Sequence, residues 1–365
     1  MMKLIYKDEY ETVDESMSDS NIGARKFKNI RNHIFIIDAD INEVLVTKTD
    51  PIDIEILDYR QCFDGMWLEE VTNDLYEAGI KNRNLALIYE ANKTNQVAVQ
   101  TPHGLTEKIQ IGRIVMHGET LAPLECSVQV DTFGKECLEE NKLLYSYRGK
   151  VGIPPLALID DVASITTSGV ESLKMNSFLN AKTNLKRLQY GEDKCHKLHV
   201  GRKNETCPEL FIDTWKVKAV SHVNTKFDLK DEEGESTLVE ISESEKYLGD
   251  ILTADGKNRK NILPRAGKGV GIRKQIMSML EDVCFGPFFF EVALMYRTSL
   301  FLNSILLNSE AWYSPPIKDI EELEKVDSSI LRGILEAPRG TPNCMLFLEL
   351  GCIPIRFLIM QRVFF

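Results

Sequence analysis

Residues 154–163 read Pro154-Pro-Leu-Ala-Leu-Ile-Asp-Asp-Val-Ala163. An apolar run, Leu156 to Ile159, delivers two adjacent acids, Asp160 and Asp161, and a second apolar run, Val162 to Ile165, leaves them. That pattern predicts a tight β-hairpin with a pair of acids at its tip. Two like charges side by side repel. Either the tip is a solvated turn, Asp being a common turn residue, or a divalent cation compensates the pair.

A second stretch of the same design lies upstream. Ile54-Glu-Ile-Leu-Asp58 is a short strand that also ends on an acid. If the two strands are neighbours, Asp58, Asp160 and Asp161 converge at one edge of a sheet. Hard carboxylate oxygens gathered in this way hold Mg²⁺ ions that clamp the attacking and leaving oxygens of a phosphoryl transfer. The long separation between the strands leaves room for covering helices.

Helical spacing appears after the basic run Arg25, Lys26, Lys28, Arg31, where Ile34, Phe35, Ile36 and Ile37 follow, and again over 67–78 and 84–92. A hairpin is expected around Pro102-His103-Gly104, and a helix from the turn at 116–124 to about Cys137. After the acidic hairpin a helix is expected over 170–189, with Leu173, Phe178, Ala181, Leu185 and Leu188 as its apolar face. A strand is expected at 195–200 and a hairpin at 246–252. Residues 257–274 hold seven cations and no acid: Lys257, Arg259, Lys260, Arg265, Lys268, Arg273 and Lys274. Helical segments are predicted at 275–283, 288–311 and 319–335. Residues 1–20 carry only weak structure signals. The end, Phe357-Leu-Ile-Met-Gln-Arg-Val-Phe-Phe365, carries no polar tail, and a fragment of a longer reading frame is expected.

The 365 residues have an ordinary globular composition, 43% hydrophobic and 27% charged, with a net charge of −11. That charge disfavours a uniformly nucleic-acid-coating protein, but a polymerase needs only one basic groove. The eight cysteines include no CxxC pair and are read as reduced thiols. Cys195, His196, His199 and Cys207 have zinc-ligand chemistry, but a strand would point Cys195 and His196 to opposite faces. The most apolar region is broken by Glu291 and Arg297, so no membrane span is expected. Neither a P-loop nor a Rossmann glycine fingerprint is present.

The order of these motifs resembles the reverse transcriptases of non-LTR (LINE-type) retrotransposons. Ser20 to Phe35 looks like the fingers motif, with Arg25 and Lys28 toward template and triphosphate. Asp58-Tyr-Arg-Gln-Cys-Phe-Asp64 looks like palm motif A, with Asp58 a metal ligand and Phe63 at the ribose-gate position. His117-Gly118 looks like motif B, and Leu158-Ile-Asp-Asp161 like motif C. Lys194 is similar to the motif D lysine, proposed to protonate departing pyrophosphate. Tyr247-Leu248-Gly249-Asp250 looks like the primer grip, and the basic segment and helices beyond look like the thumb.

The resemblance implies an α/β (α+β) right-hand polymerase fold. Partial fingers would occupy 1–50, a ferredoxin-like palm sheet 51–255, and a helical thumb with the start of a connector 256–365. It implies RNA-directed DNA polymerase activity with two Mg²⁺ ions, Mn²⁺ being an alternative, held by Asp58, Asp160 and Asp161. The partners would be an RNA template, a DNA primer and dNTP, in cytoplasm and nucleus as the family's life cycle requires. His117 stands where the family has Gln, and Leu158 where it often has an aromatic residue. The other readings are a catalytically inactive, nucleic-acid-binding polymerase remnant and an unrelated metallophosphatase using the same acids.

Overall fold

The computed structural model describes residues 2–47, 50–60, 62–94, 96–110, 120–139, 144–147, 151–167, 169–191, 194–201, 210–214, 235–239, 241–283, 285–286, 288–312 and 315–364. Helices α1 (Met2–Ser16) and α2 (Ile30–Thr47) precede strand β1 (Ile52–Asp58), which is followed by α3 (Cys62–Gly65), α4 (Leu68–Glu77) and α5 (Asn82–Lys93). Short strands β2 (Gln96–Val97), β3 (Gln100–Thr101), β4 (Gly104–Leu105) and β5 (Ile109–Gln110) form the expected hairpin region, and α6 (Ala122–Glu139) comes next. Then come β6 (Tyr145–Tyr147), β7 (Val151–Ile153), β8 (Leu156–Leu158), β9 (Asp161–Thr166), α7 (Gly169–Leu185) and β10 (His196–Val200). Strands β11 (Leu210–Thr214), β12 (Glu235–Val239), β13 (Ile241–Ser242), β14 (Ser244–Tyr247) and β15 (Asp250–Thr253) lead to the helical end. That end comprises α8 (Arg259–Glu281), α9 (Phe289–Tyr296), a π-helical turn (Arg297–Leu302), α10 (Asn303–Ile305), α11 (Ile317–Ile334), α12 (Asn343–Glu349) and α13 (Ile355–Phe364).

The chain forms two compact units, Met1–Ile30 with Thr47–Glu243, and Arg31–Val46 with Ser244–Phe365. The β14–β15 hairpin belongs to the second unit, whereas the sequence reading placed it with the palm. The physical reason is a two-way lock on α8. Ile251 N–H donates to Asn261 Oδ1 at 2.6 Å, and Asn261 Nδ2 donates to the Ile251 carbonyl at 2.8 Å.

The first unit is built on a five-stranded sheet in the order β13-β10-β1-β9-β8. β1 is central and antiparallel to both neighbours, and its first six residues are buried. The alternation of side chains sorts β1 into two faces. Ile54, Ile56 and Asp58 share one. Asp53, Glu55 and Leu57 share the other, which faces α7. On that face two polar rungs cross the sheet: His199–Asp53–Thr166 and Lys197–Glu55–Ser164.

These rungs correct the expected face of α7. Its buried residues are Ser172, Met175, Asn176, Leu179, Asn180 and Thr183, while Leu173 and Leu185 are 45% and 64% exposed. Ser172 explains the choice: its hydroxyl donates to Glu55 at 2.8 Å and accepts from Lys197 Nζ at 2.7 Å. A polar helix face meets a polar sheet face because an unpartnered buried charge costs more than an exposed leucine. Beyond the rungs the core is apolar, with Leu57, Phe133, Val162, Met175 and Leu179. α1, for which only weak signals were read, is amphipathic, with Ile5, Tyr10 and Val13 buried on one side.

In the second unit, Ile34, Ile37, Ile41 and Val44 line the buried side of α2. α8 begins inside the cationic run, at Arg259 rather than at 275, with Pro264 near its start. Gly269 is where α8 approaches its neighbours, since an added Cβ would lie 2.8 Å from the Phe301 ring. Arg297 and Asp327 form a buried bidentate pair at 2.7 Å on both arms.

Candidate active site

The sheet brings the three predicted carboxylates together. β8 and β9 close as a hairpin with Leu158 opposite Asp161, so Ile159 and Asp160 form the turn and Asp161 is the first strand residue rather than part of the tip. Asp161 is in turn directly opposite Asp58 on β1. Cross-strand partners point to the same face, and like charges in that relation are destabilising. Burial, then the neighbouring Asp160 and Asp58, push the Asp161 carboxyl up to about 6. Burial and Asp58 also raise Asp160. The turn itself is strained. Ile159 has φ 57°, a conformation that costs a β-branched residue about 1–3 kcal/mol and clusters at functional sites.

Among the described residues, Lys194 reaches this end of the sheet. Lys194 Nζ lies 2.9 Å from Asp58 Oδ1 and 3.3 Å from Oδ2. The backbone behind the lysine is laced to the end of β1. Arg60 N–H donates to the Gln189 carbonyl at 2.7 Å, Gly191 N–H to the Asp58 carbonyl at 2.9 Å, and Lys194 N–H to the Gly191 carbonyl at 2.9 Å. The Tyr59 and Tyr190 rings stack at 5.2 Å. Gly191 escaped the sequence reading: a Cβ there would lie 3.2 Å from Asp58 Oδ1. A glycine between a helix and a strand beside a lysine was the available signal.

Carboxylate oxygens are the donors that a hard divalent cation prefers, and burial and mutual repulsion disfavour the charged forms of Asp160 and Asp161. Among the described residues no group of three or more His, Cys, Asp or Glu side chains stands already gathered for a metal. Asp58 is engaged by Lys194 instead.

The surroundings are tightly built. Residues 20–22 pair with β8: Ile22 N–H donates to the Ala157 carbonyl at 2.9 Å and Ala157 N–H to the Ser20 carbonyl at 3.0 Å. Gly23 abuts the acidic turn, where a Cβ would lie 2.7 Å from Ile159 N. The Arg25 side chain is buried, 6% exposed. It donates to the Asp14 carboxylate at 2.7 Å and to the carbonyls of Ser18, Asn21 and Asp14. Lys28 pairs with Asp19 at 2.7 Å. Phe63 is partly buried against the core. Cys62 on α3 and Cys126 on α6 hold their sulfurs 2.8 Å apart. His117 and Gly118 lie outside the described residues.

The remaining predicted residues belong to the second unit. Tyr247 is buried, its hydroxyl 3.4 Å from His33 Nδ1. Leu248 and Gly249 form the hairpin turn with φ 46° and 84°. The Leu248 carbonyl accepts from Asn308 and the Gly249 carbonyl from Arg265.

Five of the seven cations of the run engage groups of the chain itself, although Lys257, Arg259 and Lys260 remain exposed. Arg265 pairs with Asp250 at 2.9 Å and lies over the Trp312 ring. Arg259 pairs with Asp319, Lys257 with Asp255, and Lys260 donates to Ser244. Arg273 donates to the Ser329 carbonyl. Lys268 and Lys274 are exposed and form no ion pair among the described residues. No helix among the described residues is long and apolar enough to cross a membrane.

No protein-family model matches the sequence, and no curated protein matches it. Among solved structures the chain is similar to apo telomerase from Candida tropicalis, with a TM-score of 0.50 and 12% identity over 100% of this chain and 54% of that one. Telomerase from Candida albicans, in complex with a TWJ fragment of telomeric RNA, aligns over 97% of this chain and 58% of its own, at a TM-score of 0.47 and 11% identity. The chain thus spans little more than half the length of these telomerases. At 12% identity the likeness is one of fold: the chain has a reverse-transcriptase-like polymerase fold.

Proposed function

We propose that this chain is the polymerase part of a reverse transcriptase of the non-LTR retrotransposon type, adding dNTP-derived nucleotides to a primer 3′-hydroxyl on an RNA template. The observation that supports this reading is the register of the central sheet, which sets Asp58 opposite Asp161 with Asp160 in the adjoining turn. It does so in a chain whose fold is like that of a telomerase. At that sheet end three acids stand near one described lysine.

Asp58, Asp160 and Asp161 would hold Mg²⁺ or Mn²⁺, which when bound neutralises phosphate charge and favours ionisation of the attacking hydroxyl. The β1–β9 register that sets Asp58 opposite Asp161, with Asp160 in the adjoining turn, supports this assignment. Phe63, on α3 just beyond β1, would exclude a 2′-hydroxyl. Lys194 would donate the proton that departing pyrophosphate needs. Lys268 and Lys274 would contact nucleic-acid phosphates, and the 247–249 turn would support the primer.

The test is incorporation of dNTP by the full chain on a primed RNA template with Mg²⁺ or Mn²⁺. Activity that disappears in Asp160→Asn is expected. A second reading is a nucleic-acid-binding chain of the same fold without catalysis. Salt-sensitive binding of primer–template, without incorporation in either metal, would select it.

A further inference from the structure

We propose that Cys62 and Cys126 form a reversible disulfide site, at which oxidation by hydrogen peroxide locks α3 onto α6. The two residues are 64 apart in sequence and on different helices, yet their sulfurs lie 2.8 Å apart. Either thiol can donate its hydrogen to the other. A disulfide bond holds its sulfurs about 2.0 Å apart, so closure draws them together by about 0.8 Å. Both side chains sit in one apolar core, Cys62 3% and Cys126 0% exposed.

The two helices differ in how firmly they are held. On α6 every residue from Leu124 to Asp131 is buried. α3 is a single turn of four residues, Cys62 to Gly65, and packs on α6. It is therefore the element that shifts on closure. Burial sets the pace: it pushes the Cys126 thiol well up, and the thiolate is the reacting form. Closure waits for α3 to loosen and needs an oxidant as small as a peroxide. The Cys62 thiolate attacks one peroxide oxygen, the O–O bond breaks, and the departing hydroxide takes the Cys62 proton as water. The Cys126 thiolate then attacks the sulfenic sulfur of Cys62. The S–S bond forms, and the sulfenic oxygen leaves as hydroxide, taking the Cys126 proton. Two thiols are oxidised by two electrons, and one peroxide is reduced to two waters. The bond closes a long loop in the unfolded chain, which favours the folded one.

The experiment exposes the full chain to hydrogen peroxide under native conditions. The sample is quenched with catalase, denatured, alkylated and digested without reductant. Mass spectrometry is expected to find a Cys62–Cys126 linked peptide that dithiothreitol splits, with two of the eight thiols lost to alkylation. The urea midpoint is expected to rise on oxidation and to return on reduction. Peroxide added to the chain already unfolded in urea is expected to show no preference for this pair. Recovery of both cysteines as alkylated thiols or as sulfinic acids, without the link, overturns the proposal. So does a link that forms as readily in the unfolded chain, because the fold would then play no part. A linked chain with a lowered urea midpoint would show that α3 cannot close without strain, and would overturn the lock. Cys62→Ser is expected to lose both the linked peptide and the peroxide-dependent rise. A rise that persists in this variant places the site elsewhere, and the measurements on the parent chain decide the matter if the variant does not fold.

Discussion

Two sets of acids hang from the same strand, and their neighbours separate them. On the α7 face of β1, Asp53 stands opposite His199 and Glu55 opposite Lys197. His199 Nδ1 is 2.6 Å from Asp53 Oδ1, Lys197 Nζ is 3.2 Å from Asp53 Oδ2, and two serine hydroxyls donate to Glu55. On the other face Asp58 stands opposite Asp161, with a single exposed lysine for company. The first set is balanced by the chain and serves the fold. The second sets three acids near one described lysine, and the proposed function rests on that difference.

The largest expected effect comes from removing one of those three acids. Asp161→Asn removes the like-charge pair, so urea unfolding should show a gain of up to about 1 kcal/mol. Nucleotide incorporation should fall by at least about 100-fold. A variant that loses stability while keeping activity would reverse the assignment of the two faces.

The balanced set should behave in the opposite way. Lys197 is completely buried, and Lys197→Met leaves Asp53 and Glu55 without it, which should cost about 3–5 kcal/mol. A loss below about 1 kcal/mol would mean that the rungs are not a charge-balanced unit.

The pH dependence of the same set follows from Glu55. Burial, only partly offset by its hydrogen bonds, raises its carboxyl from 4.5 to about 7. The folded chain therefore binds the Glu55 proton more tightly than the unfolded chain does. The contribution of Glu55 to stability falls as pH rises from 4.5 to 7, by up to about 3 kcal/mol. Asp53 is shifted the other way: despite burial, its bonds to His199 and Lys197 lower it, and its contribution is lost only under acid. Glu55→Gln should thus gain on the parent chain in thermal unfolding at pH 8 relative to pH 5. An equal difference at both pH values would sink the prediction.

The smallest effects belong to the cations of α8. If Lys268 and Lys274 touch phosphates, each alanine substitution should reduce the slope of log affinity against log salt by about 1, at unchanged stability. Arg265→Ala should instead unfold more easily, since it removes the buried partner of Asp250.

Much of the five-stranded sheet was legible in the sequence because its signals are local. An apolar run ending in Asp reads as a strand with an acid at its end, and both Asp58 and the 156–166 hairpin came from that alone. The α7 face did not, because helical periodicity assumes an apolar target. Leu173 and Leu185 fit the pattern, but Glu55 and Lys197 on the sheet drew Ser172 inward. Charge counting overstated the basic patch for a related reason. Asp250 and Asp319, which engage Arg265 and Arg259, are distant in sequence from some of their partners or hidden in another element. The pairing of Arg25 with Asp14 on the preceding helix was likewise not legible in the sequence.

The sequence by itself determined that strands end in acids and that cations are concentrated after Gly256, because both are properties of neighbouring residues. Only the tertiary structure decided which acids meet. Register across β10, β1 and β9 set Lys197 against Glu55 but Asp161 against Asp58. Cross-strand pairing alone determines whether a carboxylate faces a cation or another carboxylate, and no local pattern records it.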